Sequence, residues 1–508
     1  MVELVKLTPT ITLDDYAAVA YLAGAVQELR DEAESFLPRF KGRSVLMLSS
    51  TAKGGGVAEM LPRIVLILNE LGISTQWAVM GTEEPAFFRF TKRLHNLIHG
   101  QGDPTITDQE RQLYEQVNRT IADEVRPHLK PNDLLITHDP QPLAASALLK
   151  KELAIDALWR CHIGLDVDLP ATSAAWSFLR PYAETHDYSV FSAPEYIPSY
   201  LAGRASIIYP GIDPLGHKNR PLFPDKLTGV LCNAGLATEH APVLTPPFPQ
   251  RAQRLQPDGS LGPATLPDEI GLLYRPIVAQ VSRWDRLKGF QPLLAGFVRL
   301  KRKLRAGTAT WSPRDHRRME IVRLVLAGPD PGAVQDDPES SELFNRLRND
   351  YCSLEPEVQK DIAILCLPMD SRKNNELMVN AIQRCAAIVV QNSLREGFGL
   401  TATEAMWKGT PVLGTQAVGL RHQIRDGIDG HLLNNPEDPQ EIADTLEQML
   451  ADDAARERWS RNAQKRVFTE FLVFTQVQRW LHVLATCCTS RARQESKPLH
   501  AQHTPAKT

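Results

Sequence analysis

The sequence predicts an α/β protein of two Rossmann-like domains, and three observations carry that prediction. Its 508 residues exceed what one ordinary hydrophobic core organises. Short apolar runs alternate with helix-like segments, as in a parallel sheet with helices on both faces. The alternation fills the first half of the chain and restarts after a stretch rich in proline, glycine and glutamine.

In the first half, Ser44-Val-Leu-Met-Leu48 reads as a strand leading through a glycine turn into a helix from Val57 to Leu71. Further strands are read over 74–79, 133–137, 158–163, 188–191 and 206–209. The second half supplies strands over 276–281, 322–327, 362–366 and 387–390. The expected domains are therefore 1–226 and 275–450, with 227–274 a linker or irregular insertion that includes Pro246-Pro247. C-terminal helices over 451–488 are expected to pack back toward the first domain through Phe471, Phe474 and Trp480. The polar tail 489–508 is expected to be disordered.

Composition narrows the function class. With 43% hydrophobic and 23% charged residues, and 57 basic against 60 acidic side chains for a net charge of -3, there is no electrostatic case for nucleic acid. The seven cysteines form no C-x2-C pair, so neither a zinc site nor a disulfide framework is indicated. There is no basic leader followed by an apolar run and no stretch long enough to span a membrane, so a cytoplasmic enzyme is expected.

The most informative stretch is Ser393-Leu-Arg-Glu396-Gly397-Phe398-Gly399-Leu400-Thr401-Ala-Thr-Glu404. If a helix starts near Thr401, its first N–H groups point back at Gly397 to Leu400, where an anion can bind, and glycine lets the backbone come close. Glu396 then lies before the helix and Glu404 about one turn inside it, suited to accept sugar or ribose hydroxyls. This reads as a nucleotide-sugar site; the competing reading is a capped amphipathic helix with solvated acids.

Four other segments carry chemistry. Lys53-Gly54-Gly55-Gly56-Val-Ala-Glu59 follows a strand and opens a helix, so its N–H groups can approach a phosphate or sugar, although a plain tight turn is also open. Arg283 and Lys288, five apart after a strand, can clamp a leaving diphosphate whose oxygens gain charge as a glycosidic bond breaks; the plainer reading is a basic surface turn. His162 ends another strand, where a cleft residue belongs, yet a lone histidine there is more often a packed core residue. His138-Asp139-Pro140-Gln141-Pro142 is a stiffened loop that can present His138 and Asp139 to an acceptor, or a structural Asp-Pro turn.

The Glu396/Glu404 pair resembles the Glu-x7-Glu motif of retaining GT-B glycosyltransferases. Gly-Gly-Gly-Val-Ala-Glu (54–59), Phe-Phe (87–88), Thr-Lys-Arg-Leu-His-Asn (91–96), His-Asp-Pro-Gln-Pro (138–142), Trp-Arg-Cys-His-Ile (159–163) and Pro-Glu-Tyr-Ile-Pro (194–198) are similar to the trehalose glycosyltransferring synthases of glycosyltransferase family 4. So are Ile-Asp-Pro-Leu (212–215), Ser-Arg-Trp-Asp (282–285) and Asn-Glu-Leu-Met-Val-Asn-Ala (375–381). The resemblance implies a GT-B fold whose two domains face across a cleft, the acceptor on the first and the donor on the second. It implies transfer of glucose from ADP- or UDP-glucose to glucose, giving α,α-trehalose.

His162, Arg283, Lys288 and Glu396 are then the catalytic candidates. Gly55, Gly56, Gly397, Phe398, Gly399, Leu400, Thr401 and Glu404 join Arg283, Lys288 and Glu396 around the donor, and Glu59, His138, Asp139 and Gln141 meet the acceptor. No metal ligand and no required cofactor are expected, with Mg2+ at most stimulatory through the free diphosphate. Partners are the nucleoside diphosphate glucose and a sugar acceptor, without nucleic acid or a membrane span; a homodimer is admitted without being indicated by any residue. Two departures from the family pattern stand out: Gly164-Leu-Asp-Val-Asp168 after His162, and the length of the 228–270 insertion. The rival readings are a retaining trehalose phosphorylase and a non-catalytic nucleotide-sugar-binding scaffold.

Overall fold

The structure, a computed structural model, describes residues 2–52, 55–82, 84–238, 247–307, 311–331 and 338–495. It divides into two compact units, one running to Pro210 and taking in the chain from Val473, the other spanning Gly211–Leu472.

In the first unit β1 (Glu3–Leu4), β2 (Val45–Ser49), β3 (Thr75–Val79), β4 (Leu134–His138), β5 (Asp156–Cys161), β6 (Tyr188–Phe191) and β7 (Ala205–Ile207) form one sheet in the order β1-β3-β2-β4-β5-β6-β7. All pairings are parallel except the edge strand β1. Every residue of β2, β4 and β5 is buried, which is why these runs read as continuously apolar rather than alternating. The chain goes from β2 outward to β3, then returns to the other side of β2 as β4. The β2/β4 junction is therefore the topological switch point, and the loops leaving its carboxyl ends are where an open α/β sheet binds ligands.

The second unit repeats this logic. Its strands are β8 (Gln253–Leu255), β9 (Leu261–Pro263), β10 (Ile277–Val281), β11 (Arg323–Pro329), β12 (Ile362–Leu367), β13 (Ile388–Val390), β14 (Val412–Thr415) and β15 (His431–Leu433). They lie in the order β15-β14-β13-β10-β11-β12-β8-β9. β10 first sends the chain to β11 and β12, then takes β13 on its other flank, so the switch point lies between β10 and β13.

Several expectations about organisation differ from what is observed. The division falls at Pro210 rather than 226, and 227–274 is no linker. Within it, β8 and β9 form an antiparallel hairpin that extends the second sheet beyond β12, while Leu231, Leu236, Ala252, Ile270 and Leu272 pack into that unit's core. Buried Arg254 fixes the hairpin by donating to the carbonyls of Asp268 and Ile362. Three-residue strands are too short to show alternation, which hid them. Pro246 lies outside the described residues.

At the C-terminus, the helix Asp453–Glu470 belongs to the second unit, and only Val473–Glu495 packs on the first, against the helices Ala23–Phe40 and Gly55–Glu70. Phe474, edge-on to Tyr16 at 5.0 Å, and buried Trp480 serve as its anchors. Phe471 does not; it remains in the second unit against Phe398 at 5.7 Å. The last helix also continues through 489–495, where disorder was expected, and the rest of the tail lies outside the described residues. No helix among the described residues is long and apolar enough to cross a membrane.

Candidate active site

The loops after β10 and β13 are stitched together by buried amides. Gln280, fully buried at the end of β10, accepts from the Asn392 N–H at 3.0 Å and donates to the Lys288 carbonyl at 2.7 Å. Asn392 donates to the carbonyls of Gly289 and Pro436 at 3.0 and 2.9 Å. Gly289 is left-handed (φ 62°), and a Cβ there would stand 2.1 Å from the Asn392 carbonyl oxygen, so only glycine permits this approach.

The stitching brings Lys288 to Glu396. Their Nζ and Oε2 are 2.5 Å apart, with 15% and 11% of the side chains exposed. Ser393 Oγ donates to the same carboxylate oxygen at 3.0 Å and the Gln391 amide at 3.3 Å, which fixes the Glu396 rotamer. Gly399, at φ 90°, then turns the chain into the helix Leu400–Trp407; a Cβ there would meet Glu396 Cγ and Leu420 Cδ2, each at 2.9 Å. Buried Gln423 holds the turn from behind by donating to the carbonyls of Phe398 and Gly399, while Phe398 rests on Phe471. The helix opens at Leu400 and Thr401, whose N–H groups precede its own ladder.

Glu404 lies inside that helix, buried, 3.6 Å from Lys218. One turn on, Lys408 donates to the Glu404 carbonyl at 3.0 Å and to Asn219 Oδ1 at 3.2 Å. Desolvation pulls the Lys408 ammonium down to about 7, with Glu404 opposing the shift and Arg384 and Lys218 adding to it. Arg283 is placed differently from Lys288: its side chain is 62% exposed and 3.9 Å from Asp285, and among the described residues no ion pair joins it to Glu396.

In the first unit, Gly55 and Gly56 open the helix Gly55–Glu70 directly after β2, with Glu59 on its exposed side; Lys53 and Gly54 lie outside the described residues. Across the switch point, Asp139 takes a left-handed conformation (φ 62°) and its carboxylate accepts the His162 N–H at 2.8 Å. Its own N–H donates to the Arg160 carbonyl at 2.8 Å, and Trp159 Nε1 donates to the Asp139 carbonyl at 3.1 Å. His138 Nδ1 stands 3.1 Å from His162 Nε2, the rings nearly parallel at 15° and lying end to end with centroids 5.4 Å apart. Thr137 Oγ1, His138 Nε2 and Gln141 Oε1 are buried without a hydrogen-bond partner.

Charge at this strand end is held down. Burial, then the Arg160 guanidinium, lowers His138 to about 3 and His162 well below the ordinary histidine range, His138 itself adding to the latter shift. Burial raises Asp139 to about 6 against the opposing pull of the His162 N–H and Arg160. Arg160 itself is committed, donating to the carbonyls of Phe191 and Ile208 and to Ser192 Oγ. The departure at Gly164 has a steric cause: a Cβ there would lie 2.2 Å from Tyr196 Cγ.

Sequence reasoning missed Gln280, Gln391, Asn392, Gln423 and Lys218. A signal existed for two of these, since Gln391 and Asn392 directly follow the apolar run of β13; nothing local marks Gln280, Gln423 or Lys218.

Residues 47–198 match the family described as "Trehalose synthase, N-terminal domain", and 271–466 match "Glycosyl transferases group 1". Trehalose synthase of Pyrococcus horikoshii is 31% identical over 480 residues, covering 93% of this chain and 95% of its own. The chain belongs to the trehalose synthase family. Trehalose phosphorylase of Pleurotus sajor-caju is more distant, 27% identical over 90% of this chain and 59% of its own. Among solved structures, the α,α-trehalose 6-phosphate synthase of Burkholderia multivorans superposes with a TM-score of 0.61 at 17% identity, over 90% of this chain and 99% of that one. The fold is GT-B, and the protein is a trehalose-related glycosyltransferase.

Proposed function

We propose that the protein is a retaining enzyme of glycosyltransferase family 4 that transfers glucose from ADP- or UDP-glucose to free glucose, forming α,α-trehalose. The observation that carries this reading is the Lys288–Glu396 pair, 2.5 Å apart beside a glycine-opened helix at the β10/β13 switch point. Lys288, the N–H groups at Leu400 and Thr401, and exposed Arg283 are the groups that would meet a diphosphate as it gains charge. Glu396 takes the donor-sugar hydroxyls and Glu404 the ribose.

The proposed step is front-face attack. The bond from the anomeric carbon to the phosphate oxygen breaks, the bond to the acceptor oxygen forms, and the acceptor proton passes to the departing phosphate oxygen. No cofactor is needed, and Mg2+ would act only on the free diphosphate. Free glucose is the favoured acceptor. The groups around the β4 and β5 ends are neutral histidines and a weak acid, which suit hydroxyls, and the nearby cation Arg160 is held by main-chain carbonyls and a serine.

Phosphorolysis of trehalose is the second reading, raised by the phosphorylase relatives. It is the weaker one, because the chain covers 59% of such a relative's length against 95% of a synthase's. Incubation with trehalose plus ADP or UDP should yield a nucleoside diphosphate glucose. Incubation with trehalose plus phosphate should yield no glucose 1-phosphate, and formation of that product alone would overturn the synthase reading.

A further inference from the structure

The ends of β4 and β5 bury more histidine nitrogens than they supply partners for, and this fixes where the protons sit. His138 Nδ1 and His162 Nε2 are 3.1 Å apart in nearly parallel rings, 15° between planes, so one of the two nitrogens must donate. His138 is 2% exposed, and its other nitrogen, Nε2, is buried without a partner. An orphaned buried N–H is rarer in folded proteins than an acceptor left short of partners. The single proton of neutral His138 therefore belongs on Nδ1, where it is donated to His162. His162 Nε2 then accepts, and its own proton must be on Nδ1.

A second proton on either ring is opposed by burial and by the Arg160 guanidinium, while the neighbouring acid, Asp139, accepts the main-chain N–H of His162 through Oδ1. Cys161, the remaining titratable neighbour, is a buried thiol that donates to the Ile163 carbonyl.

We infer that His138 is a positioning residue that locks His162 in its Nδ1–H tautomer, so that His162 offers a sugar oxygen a hydrogen-bond donor and offers no base. An isolated imidazole side chain prefers the opposite tautomer, so the lock has work to do. The inference agrees with a scheme in which the acceptor proton leaves with the phosphate, and it rests on the proposed transfer reaction for its kinetic consequence only.

The test is 15N NMR of the full chain labelled at histidine, with the His162 resonances assigned from a His162→Asn spectrum. The wild-type protein should show His162 Nε2 in the unprotonated range and Nδ1 in the protonated range. His138→Asn, whose amide can donate from nearly the same place, should preserve that pattern and much of the turnover. His138→Leu should return His162 to the Nε2–H form and lower kcat about 10- to 100-fold, the range found when a hydrogen-bond partner that orients a metal-ligating histidine is lost, with little change in donor KM. An Nε2–H His162 in the wild-type protein would overturn the inference, as would a leucine variant with unchanged tautomer and kcat. Absence of any glucosyl transfer would instead strike the proposed reaction, and the NMR spectrum would still decide the tautomer.

Discussion

Replacing Lys288 by methionine removes one charge from the donor loop while keeping the length of the side chain. The ammonium is 2.5 Å from Glu396 and only 15% exposed, so little solvent screens it. At an effective dielectric of about 20, unit charges about 4 Å apart interact by about 4 kcal/mol. Loss of one preorganised group at a developing anion costs about 3 to 4 kcal/mol, or about 100- to 1000-fold in turnover. Two effects combine in this variant. The diphosphate loses its cation, and Glu396 loses the Lys288 ammonium while keeping its hydrogen bonds from Ser393 and Gln391, so a less well balanced carboxylate faces an anionic donor. Adding Glu396→Gln should therefore recover donor binding without recovering turnover. Steady-state kinetics with ADP- and UDP-glucose, beside thermal unfolding to verify the fold, gives the answer. Wild-type turnover in a folded Lys288→Met protein would remove this residue from the mechanism and with it the main argument for the site.

Glu404→Gln should chiefly raise the donor KM, whereas Glu396→Gln should chiefly lower kcat; equal and small effects would favour the solvated-helix reading. Phe471→Ala should cost about 3 to 5 kcal/mol in a denaturant titration, because the ring is fully buried against Phe398, and a loss well below that range would show that the turn does not depend on this support. His138 provides a pH test of stability. Its folded pKa, near 3, lies below the ordinary 6.5, so its neutral-state contribution is intact above about 6.5 and is lost as pH falls toward 3. Relative to His138→Asn, the wild-type protein should lose up to about 1.4 kcal/mol per pH unit across that window, and parallel stability curves would contradict a buried neutral histidine.

The long parallel strands were legible because burial on both faces leaves continuous apolar runs such as Val45–Leu48 and Ile362–Leu367. The glycine turn at 397–399 was legible because its chemistry is local. The hairpin at β8 and β9 was hidden, since its stability comes from Arg254 and a sheet edge more than 100 residues away rather than from its own pattern. The same holds for Gln280 and Lys218, which join the site through contacts at 112 residues' separation for Gln280–Asn392 and across the fold for Lys218–Glu404. Phe471 was assigned to the wrong unit for a related reason. An aromatic residue near a chain end announces burial without saying against what, and here the partner is Phe398.

The decisive measurement of the reaction is the product formed from ADP- or UDP-glucose and 13C-labelled free glucose, with the new linkage read by NMR. The expected product is a non-reducing disaccharide with both anomeric carbons in the α configuration and joined 1,1, label in one ring only, formed with release of the nucleoside diphosphate. A different linkage, an inverted anomeric centre, or transfer only to glucose 6-phosphate would contradict the proposed reaction.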